Sequence, residues 1–193
     1  MTEHDEKYLA KLRTHWKRHA AFPSMAKLCD TVGLSSTSSV FALVGRLVEA
    51  GYLARVDSRI APTRKFFARP LLSPVRAGQP QPASQEEPEV LTIDDYLIDD
   101  PNRTSLHKVR GDSMKDAGIL EGDLVVVEHH TPTKPGDIVV AWADNELTVK
   151  TLLLDPQGRY YLQPANSAYQ PIFPATSLEV MGVVIGVVRK TRR

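Results

Sequence analysis

The chain has 193 residues, 42% of them hydrophobic and 24% charged, with a formal net charge of +1. That size and balance suit one or two folded domains with a substantial core. No apolar run reaches the roughly 18 residues that cross a bilayer. The start MTEHDEKYLAKL is charged where a signal peptide would be apolar, so a cytoplasmic location without a membrane partner is expected. The single cysteine, Cys29, excludes an internal disulfide, and its place in MAKLCDTVGL reads as a packed thiol rather than a redox group.

The small net charge conceals an asymmetry. Residues 1–70 carry 12 basic and 6 acidic side chains, whereas the remainder carries 12 and 17. A basic first part joined to an acidic second part suits a nucleic-acid module attached to another domain, because phosphate binding is largely electrostatic.

In chain order, EKYLAKLRTHWK places Tyr8, Leu9, Leu12 and Trp16 at helical spacing. Pro23-Ser24 then offers an N-cap for the short helix MAKLCDTV, which Gly33 terminates. SSTSSVFALVGRLVEAG supplies a third helix with Val40, Leu43, Val44, Leu47 and Val48 on one face. Two extended candidates follow, YLARVD and RKFFARP, separated by SRIAPT. Two helices, a tight turn, a third helix and a hairpin are the outline of a winged helix-turn-helix. The outward side of its third helix carries Ser36, Ser38, Ser39, Phe41, Ala42 and Arg46, which are expected to approach base edges. Arg64 and Lys65 are expected at phosphates of double-stranded DNA. The alternative is a three-helix module that binds protein through Phe41.

SPVRAGQPQPASQEEPE, residues 73–89, lacks apolar periodicity and reads as a linker. Beyond it, DLVVVE, DIVVAW, ELTVKTLLL, RYYLQP and LEVMGVVIGVVRK are short β-branched or aromatic runs bounded by turn residues, the pattern of a mainly β domain. The six histidines show no metal-ligand spacing, no phosphate loop is present, and neither metal nor cofactor is expected.

Ser113 lies in GDSMK, which lacks the final glycine of a nucleophile elbow, so no Ser-His-Asp triad follows. Lys150 is unusual in standing within the apolar strand pattern ELTVKTLLL. An ammonium there is costly unless it is paired, at an edge, or deprotonated. Burial lowers a lysine pKa and makes the neutral amine available as a general base for a serine. Snorkelling from an edge strand, beside an unrelated turn serine, is the other reading.

GDSM, GILEGDLVVV, PGDIVVAW and ELTVKTLLL together resemble the carboxy-terminal domain of the LexA, UmuD and phage-repressor family of self-cleaving proteins. LQPANSAYQPI also resembles the family, with a UmuD-like Asn166-Ser167-Ala168-Tyr169. The resemblance implies a serine endopeptidase that acts on itself, with Ser113 and Lys150 as catalytic dyad and Ala77-Gly78, inside the linker, as the cut bond. FPSMAKLCDTVGLSSTSSVFALVGRLVEAGYL is similar, more loosely, to the LexA DNA-binding domain, although Phe41 and Ala42 stand where well-known members carry acidic residues.

The implied fold is a two-domain α+β chain. A winged helix-turn-helix occupies 1–70, a linker with the scissile bond 71–89, and a mainly β self-cleavage and dimerisation domain 90–193. The implied function is that of a transcriptional repressor of the DNA-damage (SOS) response. Its partners would be a DNA operator, a second copy of the chain, and the RecA filament on single-stranded DNA, which stimulates cleavage. A UmuD-like accessory protein of a translesion polymerase is the alternative. A signal peptidase shares the Ser/Lys chemistry but would need a membrane segment.

Overall fold

The computed structural model describes residues 2–57, 59–72 and 89–191. Residue contacts divide it into two compact units, Met1–Ile93 and Asp94–Arg193. Ala77 and Gly78 lie outside the described residues.

The first unit opens with α1 (Glu3–His19), α2 (Met25–Val32) and α3 (Thr37–Glu49), followed by β1 (Leu53–Val56), β2 (Arg59–Pro62), α4 (Arg64–Phe67), β3 (Arg69–Leu71) and β4 (Glu89–Leu91). β1 pairs antiparallel with β2, and β3 with β4. The amphipathic spacing is realised as expected. Leu9, Leu12, Leu28, Val32, Val40, Leu43, Val44 and Leu47 meet in one core, with Cys29 packed against it. Ser24 and Gly33 bound α2 where the sequence placed its ends.

One expectation needs correction here. The second wing strand lies at RIAP, within the segment read as a separator, and RKFF is a short helix. The reason is Phe66, which is fully buried and packs against Phe22 and Phe67. Burying one large ring outweighs the weak strand preference of four residues.

Arg46 is exposed on α3, and its guanidinium also grips the Asp5 carboxylate, with Nη2 2.7 Å from Oδ1 and Nε 3.1 Å from Oδ2. Asp5 is 0% exposed and also closes a capping box, accepting from the Thr2 amide at 2.9 Å. The Arg46 hydrogen bond, opposed by burial and aided by Thr2, holds the Asp5 carboxyl far below its ordinary 3.8. A carboxyl whose folded pKa is depressed stabilises fully above its unfolded value and loses that contribution as pH falls. Arg46→Ala is therefore expected to lower the urea midpoint of the first unit at neutral pH and to flatten its decline below pH 3.8. An unchanged midpoint would remove the pair as a tie between α1 and α3.

The second unit contains α5 (Ile93–Leu97), which begins at the division, then β5 (Thr104–Lys108), β6 (Leu124–His129), β7 (Ile138–Ala143), β8 (Glu146–Leu154), β9 (Tyr160–Gln163) and β10 (Leu178–Val188). The six strands form one antiparallel sheet in the order β5-β6-β10-β7-β8-β9. Its two faces carry separate cores. Val109, Met114, Ile119, Val125, Val127 and Val140 make one, and Val139, Ala141, Ala143, Leu152 and Leu162 the other. Burial on both faces explains why these strands read as continuous apolar runs instead of alternating ones.

β10 crosses the middle of the sheet and shifts register twice, between Val180 and Gly182 and between Val184 and Gly186. Such bulges bend and twist a strand. β7 and β8 are joined by Asp144-Asn145, both at positive φ, which suits a tight hairpin turn. The Asp144 carboxylate is fixed by the amides of Ala175, Thr176 and Ser177, which hold its pKa well below the ordinary value. This turn sets the register that places Lys150 opposite Val139.

Candidate functional site

Ser113 sits on the turn that leaves β5 and enters the short 3-10 segment Lys115–Ala117. Gly111, two residues before the serine, takes φ +80, a conformation that side chains disfavour. Met114 is buried in the first sheet core and anchors the turn from the other side. Ser113 is thus half-buried between a left-handed glycine and an apolar anchor.

Lys150 approaches from β8. This strand pairs with β7 from Glu146 to Thr151 and with β9 from Thr151 to Leu154, so Lys150 is paired on the β7 side and stands just before the β9 pairing begins. It is 6% exposed. Its Nζ lies 2.8 Å from Ser113 Oγ, 2.8 Å from Thr148 Oγ1 and 2.9 Å from the Val149 carbonyl oxygen. An ammonium donates to all three. A neutral amine donates to two and presents its lone pair to the third, which fits Thr148 and Val149 as acceptors and the Ser113 hydroxyl as donor. Desolvation lowers the Lys150 pKa below its ordinary 10.5. The burial of Lys150 disfavours the snorkelling reading.

Both residues line a cleft of about 260 Å³ with His107, Arg110, Met114, Val140 and Leu147. Leu147–Lys150 of β8 form one wall. Histidine does not compete for the serine: Ser105 Oγ lies 2.9 Å from His107 Nε2 and 2.7 Å from His129 Nε2. Among the described residues no group of three or more His, Cys, Asp or Glu could hold a metal.

Residues missed by sequence reasoning hold the serine turn in place. Asn166 donates from Nδ2 to the Asp112 carbonyl at 3.0 Å and to its carboxylate at 3.2 Å. The Tyr169 hydroxyl donates to Asp112 Oδ1 at 2.6 Å. Both NSAY and GDSM were visible as motifs, but nothing in their separation of about fifty residues announced that they meet.

In the first unit, α3 exposes Ser38, Ser39, Phe41 and Ala42 together, with Phe41 53% exposed. Ser36 caps the helix: its Oγ accepts from the Ser39 amide at 3.2 Å and lies within hydrogen-bond distance of the Ser38 and Ser39 hydroxyls. Lys65 lies on α4, donates to the Ala50 carbonyl at 3.0 Å and covers the Tyr52 ring. Arg64 begins α4 and does not lie on the wing. The structure thus groups the small face of α3, but occupies Ser36, Arg46 and Lys65 with local contacts.

The sequence pattern of the Peptidase S24-like family matches residues 70–185. Along nearly the whole chain, the LexA repressor of Caldicellulosiruptor saccharolyticus is 32% identical over 98% of both proteins. That of Carboxydothermus hydrogenoformans is 32% identical over 98% of this chain and 97% of its own. The LexA repressor of Pelotomaculum thermopropionicum reaches 38% identity over 87% and 86%. A family match over more than half of the sequence and relatives aligned across both units lead to one assignment: this chain belongs to the LexA repressor family, with its carboxy-terminal part in the Peptidase S24-like family.

Proposed function

We propose that this chain is a LexA-like transcriptional repressor that inactivates itself by cutting Ala77-Gly78 with Ser113 and Lys150. The observation that carries the catalytic part is the 2.8 Å approach of a buried lysine amine to a serine hydroxyl in a cleft. The repressor part rests on relatives named LexA repressor that align with the amino-terminal unit as well as the β unit. This full-length similarity favours the repressor over the UmuD-like alternative.

In the proposed reaction, neutral Lys150 takes the Ser113 proton as Oγ attacks the Ala77 carbonyl carbon. The Ser113 amide is the expected donor to the resulting oxyanion. Collapse breaks the bond to Gly78, whose amine receives the proton from Lys150. Water, activated by the same amine, then hydrolyses the ester and restores Ser113. Because the substrate is part of the same chain, tethering supplies a high effective concentration, and a dyad without imidazole suffices. The RecA filament on single-stranded DNA acts by favouring the docked population of the 71–89 segment. Ser38, Ser39, Phe41 and Ala42 read DNA in the intact protein, and pairing of two copies through the β unit adds avidity.

Fluorescence anisotropy with a duplex selected from a random-sequence pool tests this reading. Intact Ser113→Ala protein is expected to bind with an affinity that falls steeply as salt rises. Wild-type protein cut at alkaline pH and returned to neutral should bind about 100-fold more weakly, because separation of the units removes avidity. Salt-independent or absent DNA binding, together with cleavage-dependent binding to a polymerase, would favour the UmuD-like alternative instead.

A further inference from the structure

Resting on the Ser113/Lys150 reading, we propose that Asp112, Asn166 and Tyr169 form a clamp that positions Ser113 for attack, so that the loop carrying Asn166 and Tyr169 sets the rate of the dyad without touching it.

The turn of Ser113 has few intrinsic means of holding one geometry. Gly111 precedes it at φ +80, and only Met114 is anchored by apolar packing. A lysine and a serine at hydrogen-bond distance need their donor and lone pair aligned, and a misplacement of about 1 Å costs roughly 100-fold in rate. The missing constraint comes from residues 165–169. Asn166 is only 4% exposed, and its amide is used completely within this loop pair. Nδ2 spans the Asp112 carbonyl and carboxylate, while Oδ1 accepts from the Ala168 amide at 3.0 Å. The Tyr169 hydroxyl takes the other carboxylate oxygen, and the Tyr169 amide donates to the Asn166 carbonyl at 3.1 Å. On the far side of the serine, the Asp116 amide donates to the Ala165 carbonyl at 2.8 Å. Ser113 is thereby held from residue 112 and residue 116 by one neighbouring loop.

The carboxylate is the hub, since it accepts two side-chain donors from different residues. Its hydrogen bond from Tyr169, then the nearby Lys115 charge and the Asn166 amide, outweigh desolvation and hold its pKa below 3.8, while the same bond raises that of the Tyr169 phenol. The phenol therefore keeps its proton to a pH above its ordinary 10, and the clamp remains assembled until it ionises. Tyr169 is 43% exposed, so its hydroxyl can be removed without opening a core cavity.

The experiment compares wild type, Tyr169→Phe, Asp112→Ala and Asp112→Asn in the full chain, each first checked for native circular dichroism. The first readout is the alkaline self-cleavage rate across pH. Tyr169→Phe should slow it about 5-fold and Asp112→Ala about 50-fold, while the pH midpoint, which belongs to Lys150, stays within 0.3 units of wild type. Asp112→Asn keeps an acceptor for Tyr169 and should recover part of the loss. A shifted midpoint would mean that these residues act on the lysine proton and would overturn positioning. The second readout is amide hydrogen exchange over residues 110–116, which needs no cleavage. It should accelerate about 10-fold in Tyr169→Phe and Asp112→Ala, and unchanged exchange would overturn the clamp. A wild-type chain that remains uncut would contradict the dyad reading alone, whereas variants cut at the wild-type rate would contradict the clamp alone.

Discussion

Lys150→Ala is expected to slow self-cleavage by about 10⁴-fold at neutral pH, and Ser113→Ala to abolish it. The wild-type rate should rise about tenfold per pH unit while Lys150 is mostly protonated, then level off once the amine is neutral. Because burial lowers the lysine pKa, the midpoint of this rise lies below the ordinary 10.5. Lys150→Arg keeps a cation that holds its proton throughout this range and should be as inactive as alanine. Stability separates catalysis from folding. Below the folded pKa of Lys150 the unit holds a desolvated ammonium, and between that value and 10.5 the unfolded chain binds more protons, so stability rises with pH. Lys150→Met removes this dependence and should be at least as stable as wild type at neutral pH while remaining uncut. Intact-mass kinetics and thermal denaturation read the two effects, and a Lys150→Met chain that still cuts itself would dismiss the lysine as base.

The second large effect is structural. Gly182 lies on central strand β10, paired with His129 of β6 and Val140 of β7. A Cβ added there would collide with the Glu128 carbonyl oxygen, and it would stand 2.8 Å from Val127 Cγ1 and 2.9 Å from the Glu128 carbonyl carbon. Backbone on a paired strand cannot turn aside as a flexible side chain can. Gly182→Ala should therefore cost about 3 kcal/mol, at the upper end of overpacking penalties. The β unit should melt at a lower temperature and lose self-cleavage in proportion to its unfolded fraction. Gly45→Ala is the control, because its added Cβ meets nothing within 4 Å. Equal melting of wild type and Gly182→Ala would show that β10 relaxes freely.

Helices α1 to α3 were legible because their apolar spacing and end signals act locally: Gly33 closes α2 in the left-handed conformation, and Ser24 stands at its start without a side-chain cap bond. The β runs were legible for a different reason, since burial on both faces makes β6, β7 and β8 apolar almost throughout. β5 escaped detection because TSLHK, on the outer edge of the sheet, has one strongly apolar residue. RKFF was misread because a window of seven residues cannot show that Phe66 will fill the core beside Phe22. The exposed position of Arg46 was legible from the helix periodicity of α3, whereas its pairing with Asp5, 41 positions away on α1, was not. Among the site residues, the oddity of Lys150 was readable as a cation inside an apolar strand. The Asp112 clamp was not, because its hydrogen bonds join residues 54 and 57 positions apart.

The most direct measurement is the intact mass of purified wild-type chain during incubation at neutral pH and at about pH 10, where lysine deprotonation is favoured. The account predicts two fragments that appear together at first order, faster at the higher pH. Their masses should sum to the chain plus one water and meet between Ala77 and Gly78, and the rate should be independent of protein concentration. A single undiminished mass at every time and pH would contradict the claim that Ser113 and Lys150 form a working dyad in this chain.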